Sequence, residues 1–448
     1  MKKIVLIGAG SGFGARLSTD ILATPELQDS IIGLCDIHEG RLSQITSYVQ
    51  TMIDTYKLPA KLVSSTDRTK LLDGADYVIT SISAGGGAYY GHPYKAEVEI
   101  PRKYGIEQTV ADTYSVGATF RLLRTGPVHL QICRDIEKYC PNALLLNHTN
   151  PMVGLTMLHS MATKVQNVGL CHGVQGTAGE IGHLIGYKES ELAYKVAGVN
   201  HLAWFLELKD KKTGADLYPL IYDRLADTEN EITRRFSRRE AVRIEIMRSF
   251  GYFPTESNSH DSEYMAYFRR TPEDLARYHL SPKEPVSDSL KDKRSWMVDG
   301  AGEQVAGELT SSNEYTVSII KATITDEPFV FNGNVMNNTL IDNLPKDLCV
   351  EVPCIANMHG VNPTHIGNIP THLAGFNLAC GTPVQLAVES ILERDKQKAF
   401  YAIAQDVNAM ASVSLDNIKK MFDELWEAEG NLLEWYEKGY TTERCAMN

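Results

Sequence analysis

The chain has 448 residues, a formal net charge of -12, and the apolar, charged, glycine and proline contents of an ordinary globular protein. That length accommodates two domains sharing an extensive interface. The acidic balance argues against a nucleic-acid or anionic-membrane partner, and no apolar run approaches the length that spans a bilayer.

The N-terminus, MKKIVLIGAG, reads as a strand over Lys3–Ile7 running into a glycine loop rather than as a signal peptide. Gly8-Ala-Gly-Ser-Gly-Phe-Gly14 follows at once. A helix over 16–23 and a strand over 31–34 come next, ending at Cys35-Asp36. Strand, glycine loop, helix and strand with a terminal carboxylate is the context of a dinucleotide site. Gly8, Gly10, Ser11 and Gly12 let the backbone approach a pyrophosphate at the helix N-terminus, and Asp36 bonds the adenosine ribose, favouring NAD over NADP. The fit is imperfect, because Phe13 stands where the strict motif has its third glycine and the next glycine is Gly14.

Further along, helices are expected over 41–56, 67–72 and 123–140, and strands over 61–64, 77–81, 143–147 and 168–170. The glycine run Ala84-Gly-Gly-Gly-Ala88 is either a second element of the nucleotide edge or a mobile loop. Asn150, before Pro151, is a candidate to hold a ribose or substrate hydroxyl, with a simple turn asparagine as the alternative. These alternations predict an α/β fold: a Rossmann-like, doubly wound parallel sheet over residues 1–195. An α+β substrate, metal and oligomerisation domain follows over 196–448, in a lactate/malate dehydrogenase-like architecture. In the second half, Arg238, Arg239, Arg243 and Arg248 read as a solvated helix face, with a site for an anionic group on a substrate as the alternative, and residues 351–354 as an edge strand because of Pro353. Residues 333–345 read as turn, and two amphipathic helices are expected over 383–405 and 415–436.

Cys171 and His201 offer a thiolate and an imidazole nitrogen, ligands that suit a divalent transition metal, and two protein ligands leave coordination positions open for catalysis. The alternative is a small buried cysteine at a strand end beside a hydrogen-bonded histidine. Eight cysteines (35, 133, 140, 171, 349, 354, 380 and 445) show no paired framework, which predicts reduced thiols and a cytoplasmic location.

Taken together, GIEQTVADT (105–113), LLNHTNPM (145–152), VGLCHGVQGTA (168–178), VAGVNHLAWFLEL (196–208), GYFPTESNSHDSEY (251–264), GNVMNNTLIDNLP (333–345) and VEVPC (350–354) resemble glycoside hydrolase family 4. These are NAD- and divalent-metal-dependent glycosidases, and the likeness is greatest to the bacterial α-galactosidase branch. The resemblance implies a small-molecule glycoside substrate and a mechanism apart from two-carboxylate hydrolysis. The sugar is oxidised at carbon 3, loses the carbon 2 proton, eliminates the glycosidic oxygen, adds water and is reduced again. It also implies that Cys171 and His201 bind the metal, usually manganese. Tyr264 is then the base on carbon 2, and Asp112 protonates the leaving oxygen with a raised pKa, Glu256 being the second choice. His172 and Asn200 contact sugar hydroxyls or orient the ligands. Gly173 departs from the serine typical of the α-galactosidase branch, which leaves an α-glucosidase or α-glucuronidase as alternatives. The competing readings from other classes are a 2-hydroxy-acid dehydrogenase and a non-catalytic NAD sensor. A homodimer or homotetramer is expected by analogy with the family.

Overall fold

A computed structural model describes residues 1–86, 91–280 and 307–436; Gly87, Ala88 and Cys445 lie outside them. The first half alternates β1 (Lys3–Ile7), α1 (Gly12–Ala23), β2 (Ile31–Cys35), α2 (Glu39–Tyr56), β3 (Lys61–Ser65), α3 (Thr69–Leu72) and β4 (Tyr77–Thr80). Then come α4 (Tyr94–Lys103), α5 (Val116–Tyr139), β5 (Leu144–Asn147), α6 (Met152–Ala162), β6 (Gln166–Gly169) and α7 (Gly173–Ile185). The strands lie in the order β3-β2-β1-β4-β5-β6, and every neighbouring pair is parallel. Side chains alternate in direction along a strand, so continuous apolar runs fill both faces. Val5, Ile7, Val78 and Leu145 pack on one side, while Ile4, Leu6, Ile79 and Leu146 pack on the other. This is the doubly wound parallel sheet expected, with its carboxyl ends gathered along one rim.

The second half does not start a separate sheet. It adds β7 (Leu192–Val199), β8 (Leu202–Asp210), α8 (Tyr218–Ala226), α9 (Glu231–Arg239), α10 (Ala241–Phe250), α11 (Asn258–Tyr264), α12 (Pro272–Arg277) and α13 (Tyr315–Thr325). After these come β9 (Phe329–Met336), β10 (Cys349–Asn357), β11 (Gly360–Pro363), α14 (Thr371–Glu393), α15 (Lys396–Ala404), α16 (Val407–Ser412) and α17 (Leu415–Glu429). The sheet continues from β6 through β9, β10, β7 and β8, now antiparallel, with β11 also on β10. The position 195/196 falls inside β7.

Several expectations from the sequence need correction. Residues 351–354 are not an edge strand, because β10 is interior, with β9 on one side and both β7 and β11 on the other. Pro353 is tolerated there because its carbonyl accepts from Thr364 N–H. Its missing N–H therefore faces the same side, where the β7 pairing gives way to β11. The arginine run is not uniformly solvated either. Arg243 is fully buried, 2.7 Å from Glu240 and 2.5 Å from Glu180. Residues 383–405 form two helices broken at Arg394, whose φ of 58° is left-handed, and residues 333–336 belong to β9 rather than to a turn. The helix expected over 123–140 begins earlier, at Val116, capped by Ser115, whose side chain accepts from Ala118 N–H.

The last helix reaches back to the nucleotide half through a buried charge cluster. Arg124 Nε donates to Glu97 Oε1 at 2.7 Å and lies 3.8 Å from Glu429 Oε2, while its Nη1 donates to the carbonyl of Ala84. Burial, with Glu97 beside it, pushes the Glu429 carboxyl from 4.5 to about 8. A carboxyl whose folded pKa is raised binds its proton more tightly in the native state. Stability from this group is therefore full below its unfolded value and falls as pH rises through the folded one. Glu429→Gln keeps the shape and removes the titration. We expect the urea midpoint of the natural chain to fall relative to the variant between pH 4.5 and 8, and a difference that stays constant with pH would contradict this.

Candidate active site

The turn after β1 is built for close backbone approach. Gly8 has φ of +85°, and a Cβ there would sit 2.1 Å from the Ser81 carbonyl oxygen. A Cβ on Gly14 would sit 1.7 Å from the carbonyl oxygen of Ala9, so Gly14 provides the tight helix–strand contact and Phe13 is accommodated one place earlier. Asp36 follows β2 and accepts from Gly10 N–H at 2.8 Å and His38 N–H at 2.9 Å. Ser11 caps α1, which begins at Gly12, and its hydroxyl donates to Ser81 Oγ at 3.0 Å. The predicted nucleotide residues are thus together, around a helix N-terminus that favours a phosphate.

Further along the same rim β6 delivers Cys171, and the bend between β7 and β8 delivers Asn200 and His201. The Cys171 sulfur, a His201 ring nitrogen and a Glu256 carboxylate oxygen all lie within 4.8 Å of one another. Asp112, His201 and His260 form a second such group, sharing His201. Thr113 joins them: its hydroxyl donates to Asp112 Oδ1 at 2.9 Å and meets His201 Nδ1 at 2.8 Å. With the hydroxyl proton committed to Asp112, His201 Nδ1–H is the donor, which leaves Nε2 as the free lone pair that a metal needs. Asn150 Nδ2 donates to Asp112 Oδ2 at 3.1 Å, so this predicted residue also belongs to the cluster.

Asn200 is fully buried, with its side-chain amide between the Cys171 thiol and the Glu351 carboxyl. His172 stands apart. Its side chain is 58% exposed on the lip, 3.6 Å from Glu314.

Tyr264 closes α11, one turn after His260, with its ring edge-on to Tyr114 at 4.9 Å. Its hydroxyl is buried, with the Thr113 side chain beside it. The preceding Glu263 turns the other way and accepts from three successive backbone N–H groups: Thr109, Val110 at 2.6 Å and Ala111 at 3.0 Å. Each charge-assisted bond of this kind contributes about 1.5–3 kcal/mol. Together they fix the loop that carries Asp112 and Thr113. Three residues at the site, Ala111 (φ 51°), His201 (φ 62°) and Glu256 (φ 79°), hold left-handed backbone, a conformation costly for side chains with a Cβ and frequent at functional sites.

The electrostatics follow from burial and neighbours. Burial works against charge on Asp112, but His260, 3.5 Å away, and His201 overcome it and hold the carboxyl well below its usual range. The raised pKa expected of Asp112 is therefore not found. Burial also opposes charge on His260, yet Asp112 and Glu256 raise it to about 9, so the proton of the pair rests on the histidine. Burial, then Glu256 and Glu351, push the Cys171 thiol up; burial, then Asp112 and Glu263, do the same to Tyr264. Both groups need a nearby cation to ionise at neutral pH.

Family sequence models match both halves of the chain: Family 4 glycosyl hydrolase over residues 3–187, and the Family 4 glycosyl hydrolase C-terminal domain over residues 196–408. The chain belongs to glycoside hydrolase family 4. It is 36% identical to an alpha-galactosidase of Bacillus subtilis (strain 168), covering 98% of this chain and all of the relative. It is 32% identical to an alpha-galactosidase of Rhizobium meliloti (strain 1021), covering 97% of this chain and 89% of the relative. Among solved structures it resembles a 6-phospho-alpha-glucosidase from gut microorganisms in complex with NAD and Mn2+. That likeness has a TM-score of 0.79 at 20% identity, over 96% of this chain and 98% of the other. The chain is a family 4 glycosidase on a Rossmann-like fold.

The sequence reading missed His260, Thr113 and Glu263. His260 was legible in principle: it lies four residues before Tyr264, a spacing that puts two side chains on one helix face. Glu263 carried no such signal, since its partners are backbone groups more than 150 positions away. Removing its carboxylate should loosen the 109–111 loop. We expect Glu263→Ala to lower the glycosidase kcat by at least about a hundredfold, roughly 2.7 kcal/mol in barrier, with NAD affinity by calorimetry unchanged. Unaltered kcat would refute the role.

Proposed function

We propose that this chain hydrolyses α-galactosides by transient oxidation of the sugar. What carries the reading is the meeting of Cys171, His201 and Glu256 within 4.8 Å, linked through Thr113 and His260 to Asp112 and Tyr264. A thiolate, an imidazole and a carboxylate suit a divalent transition metal such as Mn2+, and the buried acidic groups around them favour a cation. In this reading Cys171 and His201 hold the ion, while Gly8, Gly10, Ser11, Gly12 and Asp36 hold NAD. Bound there, the two supply reversible hydride transfer at carbon 3 and Lewis acidity toward the sugar oxygens.

The side chains do the proton work. Tyr264 takes the proton from carbon 2, with its buried hydroxyl beside Thr113. Asp112 and His260 act as one pair that gives a proton to the departing glycosidic oxygen, with His260 its resting place. Asn150 steadies Asp112 and, with Asn200 and His172, contacts sugar hydroxyls. Residues 1–195 then hold the nucleotide and share the sugar site, through Asp112, Asn150 and His172, with Asn200, His260 and Tyr264 of residues 196–448. The preference for galactose is supported by the identity to the Bacillus subtilis and Rhizobium meliloti enzymes.

Two finer points belong to the same proposal. A cytoplasmic location is supported by the seven free cysteines among the described residues, Cys171 included. A homodimer or homotetramer is supported by Val330 and Ile355, which are paired across β9 and β10 and both exposed. Among the described residues no helix is long and apolar enough to cross a membrane.

The test is a panel of nitrophenyl α- and β-galactosides, glucosides and glucuronides, with NAD and Mn2+ omitted in turn. We expect the α-galactoside to be hydrolysed fastest, the rate to vanish with either omission, and solvent deuterium to enter at carbon 2. Tyr264→Phe should abolish that exchange and leave NAD binding intact. Sustained NADH release from malate or lactate, without glycoside cleavage, would reject the proposal.

A further inference from the structure

We propose that Glu256 is a third protein ligand to the divalent cation and that Gly173 is the residue that admits it. The inference rests on the reading that Cys171 and His201 hold such an ion.

Three observations converge on Glu256. Its carboxylate belongs to the donor group formed with Cys171 and His201. The carboxylate makes no hydrogen bond among the described residues and is met by His260 Nδ1 at 3.6 Å, so its oxygens keep lone pairs to offer. Its backbone, by contrast, is tied down. Glu256 N–H donates to Thr177 Oγ1 at 3.1 Å, and the same hydroxyl receives Arg243 Nη1 at 3.1 Å. With φ of 79°, the residue holds a conformation that only the surrounding structure can enforce, and that conformation accompanies the placement of the carboxylate beside the sulfur.

Gly173 explains how the carboxylate fits. It opens α7 with ordinary backbone geometry, so no positive φ requires a glycine there. What requires it is space. A Cβ would lie 2.6 Å from Glu256 Oε2 and 3.4 Å from the Cys171 sulfur. The obstructed atom is the free end of a side chain, so a larger residue would be accommodated by swinging the carboxylate away rather than by disrupting the helix. Gly173→Ser should therefore leave the fold intact and displace one ligand. Thr177, which holds the Glu256 backbone, lies one turn further along the same helix. Clearance and anchorage thus come from one element. A site with sulfur, nitrogen and oxygen donors all from protein would bind the ion before any sugar arrives, while keeping coordination positions open for substrate oxygens.

The experiment measures Mn2+ binding to the NAD-loaded enzyme without glycoside, from the free-ion electron paramagnetic resonance signal. We expect Glu256→Gln and Gly173→Ser each to weaken binding by at least about tenfold, with melting temperature and NAD affinity unchanged. The double variant should be no weaker than Glu256→Gln alone, because the serine acts only by moving the carboxylate. Natural affinity in Glu256→Gln would overturn the ligand role, and additive losses in the double variant would overturn the role of Gly173. Cys171→Ser separates this proposal from the reading beneath it. If it abolishes binding while Glu256→Gln does not, only the third ligand is lost; if it too binds normally, the ion does not sit at this site at all.

Discussion

One carboxylate binds the two halves of the catalytic apparatus together. Glu263 draws three consecutive backbone N–H groups of the 109–111 loop onto α11, the helix that carries His260 and Tyr264. The loop leads into Asp112 and Thr113, and Thr113 in turn sets the His201 ring. Asp112, Tyr264 and His201, the proposed proton donor, base and metal ligand, therefore have their positions set by a single buried contact. Chemistry that needs reacting atoms placed within fractions of an ångström depends on such anchoring more than on the identity of the reacting groups.

The same region concentrates negative charge where water is largely excluded. Glu256, Asp112 and Glu263 lie around a thiol and a phenol that burial and nearby carboxyls keep protonated. Burial pushes the Glu351 carboxyl to about 8 and holds its proton too. Histidines offset part of this charge, with His260 held as a cation beside Asp112. The remaining imbalance makes a divalent ion favourable, and an ion there would ease ionisation of both Cys171 and Tyr264.

Much of this was legible in the sequence, for identifiable reasons. The parallel half announces itself because its strands are buried on both faces and read as unbroken apolar runs, and because Gly8, Gly10 and Asp36 sit at set distances from them. Cys171, His201 and Tyr264 stood within quotable motifs. What did not read correctly depends on partners remote in the chain. Pro353 signals an edge, yet it is interior because β7 and β11 divide its flank between them. Arg243 signals a solvated face, yet it is buried because Glu180 and Glu240 meet it. Asp112 looked like an acid in want of a raised pKa until His260, from a distant helix, appeared 3.5 Å away.

The unbroken run of strands from β3 to β8 has a consequence for turnover. The two halves share one sheet, with β9 and β10 placed between β6 and β7 and joined to them where Gly169 pairs with Asn334 and Glu351 with Gly198. An ordinary dehydrogenase must release its spent nucleotide after each cycle. An enzyme that returns its borrowed electrons to the same sugar restores its nucleotide in place. It can leave that nucleotide seated for many cycles and open only as far as a sugar needs.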